Sequence, residues 1–154
     1  MLMAEPFTFT NSFVGTEEYL SPEVLNGTGH SGSVDWWELG IFMYEMAYGT
    51  TPFKSATREE TFNKISDGKV TFPDDVPMSD DFKYCVGKLL QHDTTNRFGT
   101  LGGAEEIKSH PFFKSINWGL LRWEVPPNIP KLKPTRSAPP PAEEEPEEMF
   151  EIEV

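Results

Sequence analysis

From Val34 to Gly49 apolar residues fall at Trp36, Trp37, Leu39, Ile41, Phe42, Met43, Tyr44, Met46 and Ala47, on every side of a helical wheel. A helix without a polar face is buried in a core. This stretch is therefore expected to be the central pillar of a helical domain. It is too short to span a bilayer, and Asp35, Glu38 and Glu45 interrupt it. Ser33 is placed to cap its start, Asp35 to face its N-terminal dipole, and Gly49 to end it. Weaker helical periods surround it. Pro22 suits the first turn of a short helix. Thr57 and Glu60 open a helix to Ile65, and Asp67-Gly68 closes it. Ser79 caps a helix whose stripe is Phe82, Val86, Leu89 and Leu90, and Ala104 to Ser109 forms a short last one. Val70 to Pro73 reads as a short extended piece. His110-Pro111-Phe112-Phe113 packs the bottom, with His110 buried or capping.

Composition narrows the class. The 154 residues are one domain's length, enough for a real core. Of the 25 acidic residues, seven lie in 142–154 with no base; the other 18 face 13 bases, so the formal charge of −12 falls to −5 for the body. A mildly acidic body argues against nucleic acid and anionic membrane as partners. The one cysteine, Cys85, precludes an internal disulfide and fits a reducing, cytoplasmic setting. It lies beside an apolar stripe with no base patterned to serve it, so a packed thiol is expected. His30 stands in a turn-rich loop without a ligand set, so no metal is expected there. No signal peptide or membrane span is visible, and Asn26-Gly27-Thr28 is read as a turn.

Gly15-Thr16-Glu17-Glu18-Tyr19-Leu20-Ser21-Pro22-Glu23, followed by Val34-Asp35-Trp36-Trp37, resembles the end of a protein-kinase activation segment and the helix after it. Asp-Trp-Trp is similar to the AGC group of serine/threonine kinases. Ala4-Glu5-Pro6 and Asn11-Ser12-Phe13-Val14-Gly15 resemble its phototropin-type plant branch. The resemblance runs from Asn11 to roughly Lys133. It implies a mainly helical fold, the lower part of a kinase C-lobe. Residues 1–115 would be a partial kinase domain, 116–134 an AGC-type C-terminal extension, and 135–154 a disordered Pro/Glu-rich tail.

The same resemblance assigns roles. Thr16, Glu17 and Tyr19 would line the place of the peptide substrate, and Glu45 would hold a substrate arginine; a plain solvated helix glutamate is the competing reading. Ser12, three residues before Gly15, would be the activating phosphosite, against an ordinary loop serine. Ser21, Pro22 and Glu23 would close the segment, with Glu23 paired to Arg97 in a buried ion pair. Asp35 and Trp37 would be structural residues of the central helix, with Asp35 accepting backbone bonds from a catalytic loop.

Kinase catalysis needs a Gly-rich phosphate loop, a strand lysine, a catalytic-loop aspartate and an Asp-Phe-Gly. None is recognisable. Gly99-Thr100-Leu101-Gly102-Gly103, Asp81-Phe82-Lys83 and His92-Asp93 with Asn96 imitate such motifs in the wrong order or place. No catalytic residue is therefore assigned. ATP and Mg²⁺ belong to a full-length parent, a serine/threonine protein kinase, and none is expected to bind this chain alone, which should be inactive. The implied partners are a protein substrate basic around its acceptor and an upstream activating kinase. The alternative is a non-catalytic protein-binding module, using the apolar surface left where catalytic parts would pack.

Overall fold

The computed structural model describes residues 16–29 and 31–129. The chain divides into two units, Met1–Trp118 and Gly119–Val154. The first is helical, and among its described residues there is no strand: α1 Pro22–Leu25, α2 Ser33–Tyr48, α3 Arg58–Asp67, α4 Asp80–Leu89 and α5 Gly103–Lys108. Short 3-10 turns occupy Glu17–Tyr19 and Pro111–Phe113. This is the mainly helical architecture that the kinase resemblance implied.

Local signals explain most boundaries. The Thr57 hydroxyl accepts from the Glu60 amide at 3.2 Å, and the Ser79 hydroxyl from the Phe82 amide at 3.2 Å, so α3 and α4 each start on a side-chain cap. Helix α2 stops at Gly49, whose φ of 72° is left-handed and free of Cβ strain. One expected cap is corrected. Ser33 is the first helical residue of α2, Gly32 holds the cap position, and no side chain caps that end. The carbonyl of Ser33 instead accepts from Arg97, 2.9 Å away.

The core forms where α2 meets α4. Trp37, Ile41 and Tyr44 bury one face of α2 against Phe53, Ile65, Phe82, Val86 and Leu90. Each large side chain so buried contributes about 1.5–3 kcal/mol. Trp37 stacks on Phe53 with centroids 5.5 Å apart and planes 7° off parallel. Gly40 sets how close the helices come: a Cβ there would lie 2.8–2.9 Å from Leu89 and Leu90 atoms. A second cluster joins Cys85, Leu89 and Ile107 to Trp36, Leu39 and Phe98. Burial pushes the Cys85 thiol up to about 11, so it is a protonated packing group at neutral pH. His110 is both buried and capping: its Nδ1 accepts from the Phe112 amide at 3.2 Å, and its ring stacks on Tyr84. Val70 to Pro73 joins no ladder; the Thr71 carbonyl accepts from the Tyr44 hydroxyl at 2.8 Å.

Helix α2 is not buried all round, as its pattern suggested. Asp35, Glu38, Phe42 and Met46 form one exposed strip, with Phe42 51% and Met46 71% accessible. Their spacing of three and four residues is that of a single helix face. Two of its four residues are large and apolar, and no described element covers them.

In the second unit the described residues 119–129 hold one 3-10 turn, Leu121–Trp123. Leu121, Trp123, Val125 and Ile129 are exposed. No helix of the described residues is long and apolar enough to cross a membrane.

Candidate functional site

The residues assigned from the sequence gather into two groups. The first is buried. The Arg97 guanidinium donates from Nη1 to Glu23 Oε1 at 2.6 Å and from Nη2 to Oε2 at 2.9 Å. Nη1 also reaches the Ser33 carbonyl at 2.9 Å, and Nε the Gln91 carbonyl at 3.0 Å. Its plane lies 5.2 Å from the Trp37 ring centroid. One side chain thus ties α1, the start of α2 and the segment after α4 together, which the planar fork of arginine suits better than lysine. Burial alone would raise the Glu23 carboxyl, but the hydrogen bonds and charge of Arg97 outweigh it and hold the carboxyl below its usual value. Ser21 and Pro22 are buried beside this pair.

The second group is at the surface. The turn Glu17–Tyr19 is closed by the Tyr19 amide donating to the Thr16 carbonyl at 2.9 Å. Thr16 is exposed, and its hydroxyl makes no capping bond. The Tyr19 hydroxyl donates to Glu45 Oε2 on α2. That hydrogen bond, then burial and the charges of Glu45, Glu18 and Glu38, push the Tyr19 hydroxyl up to about 12. Glu18 accepts from the Thr51 hydroxyl at 2.6 Å and pairs with Lys54 at 3.4 Å. Glu17 pairs with Arg58 Nε at 3.1 Å. Thr16, Glu17, Tyr19 and Glu45 therefore share one surface. Chemically it is a tyrosine hydroxyl beside an acidic cluster.

Asp35 joins neither group. It sits exposed in the first turn of α2, with Glu38 on the same strip. Desolvation, then the charge of Asp35, raises the Glu38 carboxyl. Ser12 and His30 lie outside the described residues. Sequence reasoning missed Thr51, Lys54 and Arg58, whose partners are more than thirty residues away. No local pattern marks them.

The kinase-like imitations are structural. The Gly99 and Gly102 amides both donate to Glu106 Oε2, at 3.0 and 3.2 Å, so this loop closes on its own carboxylate and is not a phosphate cradle. Asp93 accepts from Thr95 and Asn96 in a self-contained turn. Phe82 of Asp81-Phe82-Lys83 is buried in the core. Among the described residues no three His, Cys, Asp or Glu side chains converge as metal ligands. These stretches, closed on their own side chains, do not fit Mg²⁺ and ATP.

Comparison with known proteins accords with the geometry. The protein kinase domain model matches residues 3–113. Phototropin-2 of Oryza sativa subsp. japonica is 46% identical over 149 residues, covering 89% of this chain and 16% of that protein. Serine/threonine-protein kinase ppk22 of Schizosaccharomyces pombe is 49% identical over 142 residues, covering 90% of this chain and 27% of its own length. Flippase kinase 1 of Saccharomyces cerevisiae is 50% identical over 123 residues, covering 80% and 14%. The chain thus spans from 14% to 27% of these relatives. It belongs to the protein kinase family, on the phototropin-like branch of the AGC-type serine/threonine kinases.

Proposed function

We propose that this chain supplies the substrate-positioning part of a serine/threonine protein kinase that transfers the γ-phosphoryl group of ATP to protein serine or threonine. The observation that carries the reading is the Tyr19–Glu45 contact. It joins the end of the activation segment to the central helix and leaves Glu45 Oε1 without a hydrogen bond among the described residues. A substrate arginine beside the acceptor would take that oxygen, with Glu18 and Glu38 adding to the attraction. Thr16 and Glu17 complete the platform. The open strip of α2 is where the remaining kinase domain, with its catalytic loop and its ATP and Mg²⁺ site, would pack, and Asp35 would take backbone donors there. Ser21, Pro22, Glu23, Trp37 and Arg97 hold the platform from below.

In the same reading Ser12 is phosphorylated by an upstream kinase, and residues 116–134 form an AGC-type extension whose exposed Leu121, Trp123 and Val125 dock on the upper lobe. Residues 135–154 make an acidic tail. The location is cytoplasmic, and nucleic acid is not a partner.

The test is a chimera in which the upstream catalytic part of a relative is joined in frame to this chain. With labelled ATP and Mg²⁺ the chimera phosphorylates an arginine-bearing serine peptide, and the chain alone incorporates nothing. Glu45→Gln in the chimera raises KM by about tenfold and leaves kcat nearly unchanged. Phosphate incorporation by the pure chain, or a Glu45→Gln chimera with unaltered KM, overturns the reading.

A further inference from the structure

The turn Glu17–Tyr19 is three residues long and buries none of them. Tyr19 packs in part against the core, and each of the turn's three side chains is fastened to a different group. Tyr19 reaches Glu45 on α2. Glu18 is held by Thr51, itself buried, and by Lys54. Glu17 is held by Arg58, the first residue of α3. The Arg58 guanidinium also lies 5.0 Å from the Phe62 ring centroid, one helical turn along. That ring presents one face to the cation and helps to hold it in place. Two of the three fastenings end on residues 51–58.

The geometry points to Arg58 as a positioning residue: with Lys54 and Thr51 it clasps the turn that carries Thr16 and Tyr19, holding Glu17 in place. The inference rests on the substrate-positioning reading given above. Its physical content is modest and definite. The side chains of Arg58 and Glu17 are 58% and 48% exposed, so the pair adds little to global stability. Its effect falls on one short turn that fully buries none of its residues, where a small local free energy decides how often the turn leaves its place.

The test uses this chain with Glu17→Gln and Arg58→Gln together, which removes the pair at constant net charge, and a charge swap, Glu17→Arg with Arg58→Glu. Hydrogen exchange of the Tyr19 and Leu20 amides, the two that are hydrogen-bonded in the turn, should quicken about two- to fivefold in the neutral pair of substitutions and return towards the native rate in the swap. Exchange in α4 and the thermal midpoint should not move. The Kd of a short fluorescent peptide with arginines before a serine should weaken by the same two- to fivefold and recover with the swap. Unchanged Tyr19 and Leu20 exchange in the neutral variant, or no recovery in the swap, overturns the clasp. If the native chain does not bind the peptide at all, the substrate reading fails, and the exchange rates alone still decide whether the clasp exists.

Discussion

Two arginine–glutamate pairs on this molecule use the same chemistry for opposite ends. Arg97 and Glu23 meet in bidentate geometry, and Arg97 is only 2% exposed. Arg58 and Glu17 meet through one contact at the surface. The first pair is buried against Trp37 and the start of α2. The second fastens a short surface turn to the start of α3. A buried pair contributes little net stability when intact, because desolvation offsets its attraction, but removing one partner strands a charge. An exposed pair is screened and dispensable to the fold. Closed geometry therefore makes a structural rivet, and open geometry makes an adjustable contact.

The largest expected effect follows. Arg97→Ala leaves the Glu23 carboxylate buried without its cation and the Ser33 and Gln91 carbonyls without their donor. The loss should be about 3–5 kcal/mol in urea unfolding. Replacing both partners, Glu23→Leu with Arg97→Met, should cost less than the single change. If the double variant is as unstable as the single, stranded charge is not the reason.

How far this contrast was legible in the chain depends on sequence distance. The apolar run from Trp36 to Ala47 already marks a helix, and Thr57, Ser79 and Gly49 mark ends by local rules. Glu23 and Arg97 could be matched across 74 residues only because the kinase pattern names both. Which strip of α2 stays open was not legible, since Phe42 and Met46 are as apolar as the residues that are buried. The neighbours decide it: the Gly40 side receives Leu89 and Leu90. Thr51, Lys54 and Arg58 were missed for the same reason, as their partners are set by how the loop after α2 folds back.

The next effect probes the closed side from within. Gly40→Ala puts a methyl 2.8–2.9 Å from Leu89 and Leu90. Overpacking of this kind should cost about 1–3 kcal/mol, with α2 and α4 moving apart. A denaturant midpoint equal to that of the native chain would show that the helices have room to spare.

Acid and alkali separate the two regions without mutation. The Glu23 carboxyl is lowered from 4.5 in the folded chain, so its contribution is present above pH 4.5 and fades as pH falls through the lowered value. The Tyr19 hydroxyl is raised from 10.0 to about 12, so its contribution is full below pH 10 and is lost as pH rises towards 12. Thermal unfolding across pH should thus weaken at the acid end through the closed pair. At the alkaline end Tyr19→Phe should flatten the decline. An alkaline limb identical in Tyr19→Phe would mean that the Glu45 contact does not stabilise the fold.

The smallest effect is expected on the open strip. Met46 is 71% exposed, so Met46→Ser should change the stability of this chain by no more than about 0.5 kcal/mol. If the catalytic part packs on this strip as proposed, the same substitution in the chimera should cost about 2–5 kcal/mol, as truncation of a buried methionine does. The two measurements carry opposite information. A large loss in the chain alone would mean that Met46 is already covered, so the strip is not open. An unchanged chimera would mean that the catalytic part packs elsewhere. Only the pair of results, neutral in the chain and costly in the chimera, identifies the open side of α2 as a surface whose partner lies outside the described residues.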